Sequence, residues 1–279
     1  MTLSRRQVSE LLAANGLHPS RALGQNFVAD PNTVRRIARL AAVGPGDRVV
    51  EVGPGLGSLT LALAETGACV TAVEADRRLM AVLEGVTEAA HVRLVHADAM
   101  TIDWSNLLGS RPGWILVANL PYNIATPLVA GLLDGVAVID RMLVMVQKEV
   151  AERLVASVGQ PGYGAVSVKV AYWAESSMVG RVPASVFIPQ PRVESALVSI
   201  HRRPAPAVDP AVVPADHFFA LVRAGFSTRR KMLRRSLAGL VEPADFQAAG
   251  IRPESRAEEL DVCAWGRLAA ATIARSGGR

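Results

Sequence analysis

The stretch Glu51-Val52-Gly53-Pro54-Gly55-Leu56-Gly57 decides the fold. An apolar run over 47–52 leads into it and reads as a buried strand; the periodicity after it predicts a helix over 58–65. Strand, glycine-rich turn and helix, in that order, open a doubly wound α/β sheet. A second strand over 69–73 runs into Glu74. That acid falls about twenty residues beyond the first glycine, where such folds hold a ribose hydroxyl. A helix is expected from Asp76. A third strand over 92–96 ends in Ala97-Asp98-Ala99-Met100. A fourth, Trp114-Ile115-Leu116-Val117-Ala118, ends in Asn119-Leu120-Pro121-Tyr122.

The spacing of the glycines separates two ligand classes. A dinucleotide turn reads G-x-G-x-x-G, whereas here the third glycine comes one place early and Ser58 stands at the expected position. E-x-G-x-G-x-G is the form that S-adenosylmethionine methyltransferases use. That ligand has no pyrophosphate, so its turn must admit a methionine tail and a sulfonium. With Gly53, Gly55 and Gly57 in the turn, Glu74 would take the ribose hydroxyls. Asp98, beside Ala99, would accept from the adenine amine; as a lone Asp it would read as a turn cap.

The end of the fourth strand suits methylation of an aromatic exocyclic amine. The lone pair of adenine N6 is delocalised into the ring, so the amine is a poor nucleophile. The Asn119 side-chain oxygen and the Leu120 carbonyl, freed because Pro121 stops strand pairing, are two acceptors for its N–H groups. Such acceptors favour the tetrahedral nitrogen that forms as a methyl arrives. The Tyr122 ring would hold the base in line. Without its neighbours, the motif is also what a strand-to-turn corner looks like.

Size and composition fit this reading. The 279 residues are 50% hydrophobic and 20% charged, enough for one large α/β domain and a smaller one. The net charge is +5, carried almost wholly by arginine; the lysines are Lys148, Lys169 and Lys231. A pI near 9.7 is compatible with a polyanionic partner. Cys69 and Cys263 form no C-x-x-C pair, so two free thiols and a reducing compartment are expected. The five histidines have no metal-ligand spacing. No apolar run approaches a membrane span, and no h-region follows Arg5 and Arg6. A cytoplasmic, metal-free monomer is the expectation.

Elsewhere, a short helix over 4–15 precedes Leu23-Gly24-Gln25-Asn26-Phe27-Val28. The amides of Gln25 and Asn26 could close over a small ligand as a lid, or belong to an ordinary arm. Asp30-Pro31 starts a helix, the first as N-cap and the second at N1. A strand over 141–146, a helix to Ala156, and further strands over 178–182 and 194–201 follow. Residues 165–174 read as helix or strand, with helix preferred. Between the late strands, Phe187-Ile188-Pro189-Gln190-Pro191 predicts a rigid loop. There Phe187 is read as a second stacking face opposite Tyr122, with a core anchor as its alternative. Arg203-Pro204-Ala205-Pro206 reads as a linker, dividing a Rossmann-like domain over 1–203 from a small all-α domain over 204–279. In the latter, a helix over 227–240 carries Arg229, Arg230, Lys231, Arg234 and Arg235, with Met232, Leu233, Leu237 and Leu240 on its apolar stripe. The run has one sign and no acidic i±4 partner inside it, so it suits phosphates; a solvated face is the blander reading.

Taken together, these stretches resemble the KsgA family of ribosomal RNA adenine dimethyltransferases. The matching segments include L-G-Q-N-F from Leu23, E-V-G-P-G-L-G-S-L-T from Glu51, D-A-M from Asp98, N-L-P-Y-N-I-A-T-P-L from Asn119, F-I-P-Q-P-R-V-E-S from Phe187 and F-S-T-R-R-K-M-L-R-R-S-L from Phe226. They span nearly the whole chain in the family's order. The resemblance implies a class I S-adenosylmethionine-dependent fold. It also implies dimethylation of N6 on two adjacent adenosines in the last hairpin loop of 16S rRNA, within assembling 30S subunits. It puts Asn26, Val28, Gly53, Glu74, Asp98 and Asn119 on the cofactor, with Gln25, Gly55, Gly57 and Ala99 beside them in the same motifs. It puts Asn119, Leu120, Pro121 and Tyr122 at the amine, with Phe187 closing on the base. The chain departs from the family at Gly225-Phe226-Ser227-Thr228 and in its lysine-poor arm, both on expected RNA contacts. Rival readings are a large-subunit adenine methyltransferase, a non-catalytic RNA-binding relative and a nicotinamide reductase. The last is disfavoured by the glycine spacing and the missing Tyr-x-x-x-Lys.

Overall fold

The computed structural model describes residues 2–20, 24–121, 123–228 and 230–277. The chain forms two compact units: Met1–Ala151 with Ser177–His201, and Glu152–Ser176 with Arg202–Arg279.

The first unit opens with α1 (Arg5–Ala14), β1 (Phe27–Val28) and α2 (Pro31–Ala41). Ser4 caps α1 through a reciprocal capping box with Gln7, and Asp30 caps α2 by accepting from Thr33 N at 2.8 Å, with Pro31 at N1. Then come β2 (Arg48–Val52), α3 (Ser58–Ala64), β3 (Cys69–Glu74), α4 (Arg77–Thr87), β4 (Arg93–His96), α5 (Trp104–Leu108), β5 (Trp114–Asn119), α6 (Ala125–Gly135) and β6 (Ile139–Gln147). The chain leaves the unit within α7 (Lys148–Val155), returns along β7 (Ala174–Val182), and ends the unit with β8 (Phe187–Ile188) and β9 (Ser195–Arg202).

Seven strands form one sheet in the order β4-β3-β2-β5-β6-β9-β7. The pairs from β4 through β6 are parallel, and β9 runs antiparallel to β6. Strands β2 and β5 are buried along nearly their whole length, as expected of parallel strands covered on both faces. The chain leaves β2 toward β3 and β5 toward β6, so the order reverses between β2 and β5. Open sheets bind ligands outside the carboxyl ends of strands at such a reversal.

Two corrections concern irregular segments. Phe187 is not in a loop. It pairs with Val28 in a two-stranded antiparallel ribbon, is 1% exposed, and packs among Val34, Ile37, Val182 and Leu197. The ribbon forms because Val186 O accepts from Ala29 N, which draws the segment onto the arm. The expected helix over 227–240 is also absent from the described residues. Only α10 (Leu233–Ser236) is helical there, because Met232 is extended (ψ 150°) and bridges to Arg256. Leu233 and Leu237 are buried, but Met232 and Leu240 are exposed, so the four-residue stripe does not exist.

The second unit contains α8 (Ala165–Trp173), α9 (Ala215–Ser227), α10, α11 (Pro243–Ala249) and α12 (Val262–Gly277). The boundary at 203/204 therefore differs from the structural division, which assigns 152–176 to this unit. The physical reason is aromatic packing. The Tyr172 ring lies 4.9 Å from each of Phe218 and Phe219, and the Tyr163 hydroxyl donates to Leu260 O at 2.7 Å. The proline-rich segment is tied to the end of α8: Arg203 N donates to Trp173 O and Ala207 N to Tyr172 O. Among the described residues, no helix is long and apolar enough to cross a membrane.

Candidate cofactor and active site

A cavity of about 240 Å³ lies at the reversal between β2 and β5. A single buried water needs roughly a twentieth of that, so the space is of small-ligand size. The turns after β2, β3, β4 and β5 line it, together with the arm over 24–28.

The glycine turn is shaped for close approach. Gly53 and Gly55 have φ of 70° and 60°, and a Cβ at Gly55 would stand 2.9 Å from the Phe27 ring. Gly57, expected at the cofactor, does not line the cavity; at φ 87° it opens α3 and packs against Leu83 of α4. At the end of β3, Glu74 is 6% exposed and spans two turns: Oε2 accepts from Gly55 N at 3.0 Å and Oε1 from Asp76 N at 2.9 Å. Burial pushes its carboxyl above the usual range, offset in part by those two N–H groups. Each oxygen retains a lone pair for a hydroxyl donor. Asp98 lines the cavity while its Oδ1 accepts from Met100 N at 2.8 Å, capping the turn that follows β4. Ala99 lies beside it, buried.

The arm is latched over this site at two points. Gln25 Nε2 donates to Asp76 Oδ2 at 2.8 Å, and Asn119 Nδ2 donates to Asn26 O at 3.1 Å. The Gln25 oxygen accepts from Ser20 N at 2.8 Å, so both ends of its amide fasten the arm while the residue lines the cavity. Asp76 is held as a carboxylate, down to about 2, chiefly by the Arg78 guanidinium bonded to it and also by Gln25. Val28 lines the cavity from its ribbon.

At the end of β5 the amide orientation is fixed. Because Asn119 donates through Nδ2, its Oδ1 remains as an acceptor. Leu120 N donates to Met145 O at 3.0 Å, while the Leu120 carbonyl accepts no backbone hydrogen bond among the described residues. Pro121 O accepts from Ile124 and Ala125 N, turning the chain into α6. Asn119, Leu120 and Pro121 all line the cavity. Tyr122 lies outside the described residues. Phe187 is not in the lining, being taken up by the core.

Sequence reasoning assigned no role to Glu51, Phe27, Leu79 or Asn123, which also line the cavity. For Glu51 the signal was present, as the acid that opens the glycine motif. Its carboxyl is 1% exposed and pushed up to about 8 by burial; the Thr60 hydroxyl opposes that rise, and the charge of Glu74 adds to it by less. Thr60 Oγ1 and Glu51 Oε2 stand outside hydrogen-bonding geometry, and both, with Ser58 Oγ, are buried without a partner.

In the basic run, Arg230, Lys231, Arg234 and Arg235 are exposed, and Arg229 lies outside the described residues. Arg234 meets Glu254 at 3.4 Å, so the run has an acidic neighbour that is close in space and remote in sequence.

A parallel sheet with one antiparallel strand near its edge, a glycine cradle, and acids at successive strand ends define a class I S-adenosylmethionine-dependent methyltransferase. The fold matches that of the solved 23S rRNA methyltransferase ErmE, with a TM-score of 0.70, 26% identity, and 89% of this chain and all of that one covered. It matches a dimethyladenosine transferase from Plasmodium falciparum in fold at the same TM-score, with 24% identity and coverage of 86% and 94%. A family described as ribosomal RNA adenine dimethylase matches residues 18–272. The chain is 46% identical over 278 residues to ribosomal RNA small subunit methyltransferase A of Thermobifida fusca, covering 96% of this chain and 95% of that protein. It is 47% identical to the protein of that name from Kineococcus radiotolerans, with 96% and 91% covered. The chain belongs to the ribosomal RNA adenine dimethylase family.

Proposed function

We propose that this chain uses S-adenosylmethionine to place two methyl groups on N6 of each of two adjacent adenosines in the 3′-terminal hairpin loop of 16S rRNA. Its substrate is the assembling 30S subunit, in the cytoplasm, and it acts as a monomer. One observation carries the cofactor reading: the described cavity lining contains three carboxyl residues, Glu51, Glu74 and Asp98, and no Arg, Lys or His. A pyrophosphate would be repelled there, whereas a ligand bearing a sulfonium and an ammonium would be attracted. Glu74 would hold the ribose, Asp98 the adenine amine, and the turn over 53–55 the methionine tail. When bound, this cofactor supplies an electrophilic methyl on a good leaving group.

The chain's own part is to make a poor nucleophile reactive. Asn119 Oδ1 and the Leu120 carbonyl accept from the two N–H groups of the target amine, which draws the nitrogen out of conjugation. Tyr122 supplies the stacking face. The second transfer meets an amine with one N–H left, so it proceeds with one acceptor engaged and with room for the first methyl. Arg230, Lys231 and Arg235, beside Arg229 in sequence, would neutralise backbone phosphates. Phe187 has no part in this scheme, because its ring is buried in the core.

The test is transfer of labelled methyl to undermethylated small subunits, to large subunits and to naked RNA, with products digested to nucleosides. Dimethyladenosine from small subunits alone is expected. Labelling of large subunits would replace this reading with that of a large-subunit adenine methyltransferase.

A further inference from the structure

Glu51 lies on β2 and is one of the residues lining the cavity; it is 1% exposed, and its Oε2 is buried with no hydrogen-bond partner. The groups around it are few. Strand β3 brings Glu74, itself beside Asp76 and its Arg78 partner; β5 brings the uncharged Asn119. Helix α3 brings the hydroxyls of Ser58 and Thr60, both buried without partners, and Asp98 stands at the end of β4. No cationic side chain among the described lining compensates Glu51. Burial, reinforced by the Glu74 charge, pushes its carboxyl up to about 8, so at neutral pH the free chain carries it as the uncharged acid.

We propose that Glu51 is a charge switch that distinguishes the cationic methyl donor from its neutral thioether product. Resting on the cofactor reading above, the cycle is as follows. When the sulfonium enters, the Glu51 O–H breaks, its electron pair stays on the carboxylate, and the proton passes to solvent. When the methyl is transferred, the lone pair of the target nitrogen forms the N–C bond as the C–S bond breaks with its pair retained on sulfur. The displaced N–H proton passes to solvent, and the cation that stabilised the carboxylate is gone. Glu51 then takes a proton back from solvent, and the product loses an ionic partner that the donor had. The device lowers affinity for the spent cofactor without any change of shape.

The test is isothermal titration at pH 7.0 in two buffers of different ionisation enthalpy, using S-adenosylmethionine and S-adenosylhomocysteine in turn. The product carries the same amino-acid tail, so the difference between the two isolates the sulfonium. The wild-type chain is expected to release close to one proton more with the donor than with the product. Glu51→Gln is expected to abolish that difference and to lower the donor-over-product preference about tenfold or more. Equal proton release for both ligands in the wild-type chain overturns the switch alone, and needs no variant to fold. Failure to bind either ligand overturns the switch together with the cofactor reading.

Discussion

Asn119 illustrates how a single amide direction selects a chemistry. By donating to Asn26 O, it fastens the arm and leaves its oxygen free to accept, which on the proposed function would be from the target amine. Asn119→Ala removes both effects. Transfer is expected to fall by about 10² to 10³, the usual loss for one oriented polar group at a reacting centre. RNA retention on a filter should stay within about twofold, because on the proposed function the phosphates are met by the basic run around Arg230 and Arg235. Glu51 gives a second prediction. The folded chain holds its proton up to about pH 8, whereas an ordinary carboxylate releases it near 4.5. The native state thus binds the extra proton between those values, and stability must fall as pH rises through them. Glu51→Gln should flatten that slope in ligand-free chemical denaturation. The gain over wild type should reach on the order of 3–5 kcal/mol above pH 8.

Among the elements, tight packing makes two glycines testable. At Gly55 an added methyl meets the Phe27 ring, in a backbone region that other residues avoid. Gly55→Ala is expected to push the arm off the cavity and weaken S-adenosylmethionine binding at least about tenfold, with little change in far-ultraviolet circular dichroism. In the second unit, a methyl on Gly225 of α9 would collide with the ring of Trp265, which is fully buried. Gly225→Ala should destabilise that unit by about 1–3 kcal/mol, read as an earlier melting of Trp265 fluorescence. Elements with local causes were legible in the sequence: Ser4, Asp30 and Asp76 each cap the helix expected to follow them, and the strands ending at Glu74 and Asn119 end there. What was missed has remote causes. The ribbon that buries Phe187 is only two residues long and is set by a partner about 160 positions away. The helix expected over 227–240 yields to a bridge with Arg256, and Arg234 finds its acid at Glu254. The state of Glu51 comes from enclosure, which no local pattern encodes.

For the whole molecule, the net charge of +5 and the exposed arginines set the prediction about RNA. Replacing Arg230, Lys231 and Arg235 together by Ala should weaken subunit binding and reduce the slope of log affinity against log salt by about 2–3. An unchanged slope would return the run to a solvated surface. Arg234 is omitted because its tie to Glu254 already occupies it in part.

The interleaving of the two units has a consequence for biosynthesis. The strands of the first unit are complete once residue 202 has been made. By then the segment 152–176 has also been made, carrying Tyr163, Val168 and Tyr172, most of whose fully buried partners, from Val213 and Phe218 on, have not. Nascent chains therefore pass through a stage in which a sticky helix waits for residues not yet translated, a stage suited to chaperone capture. A fragment stopped at residue 203 would be frozen at that stage, so precipitation on expression is its expected fate.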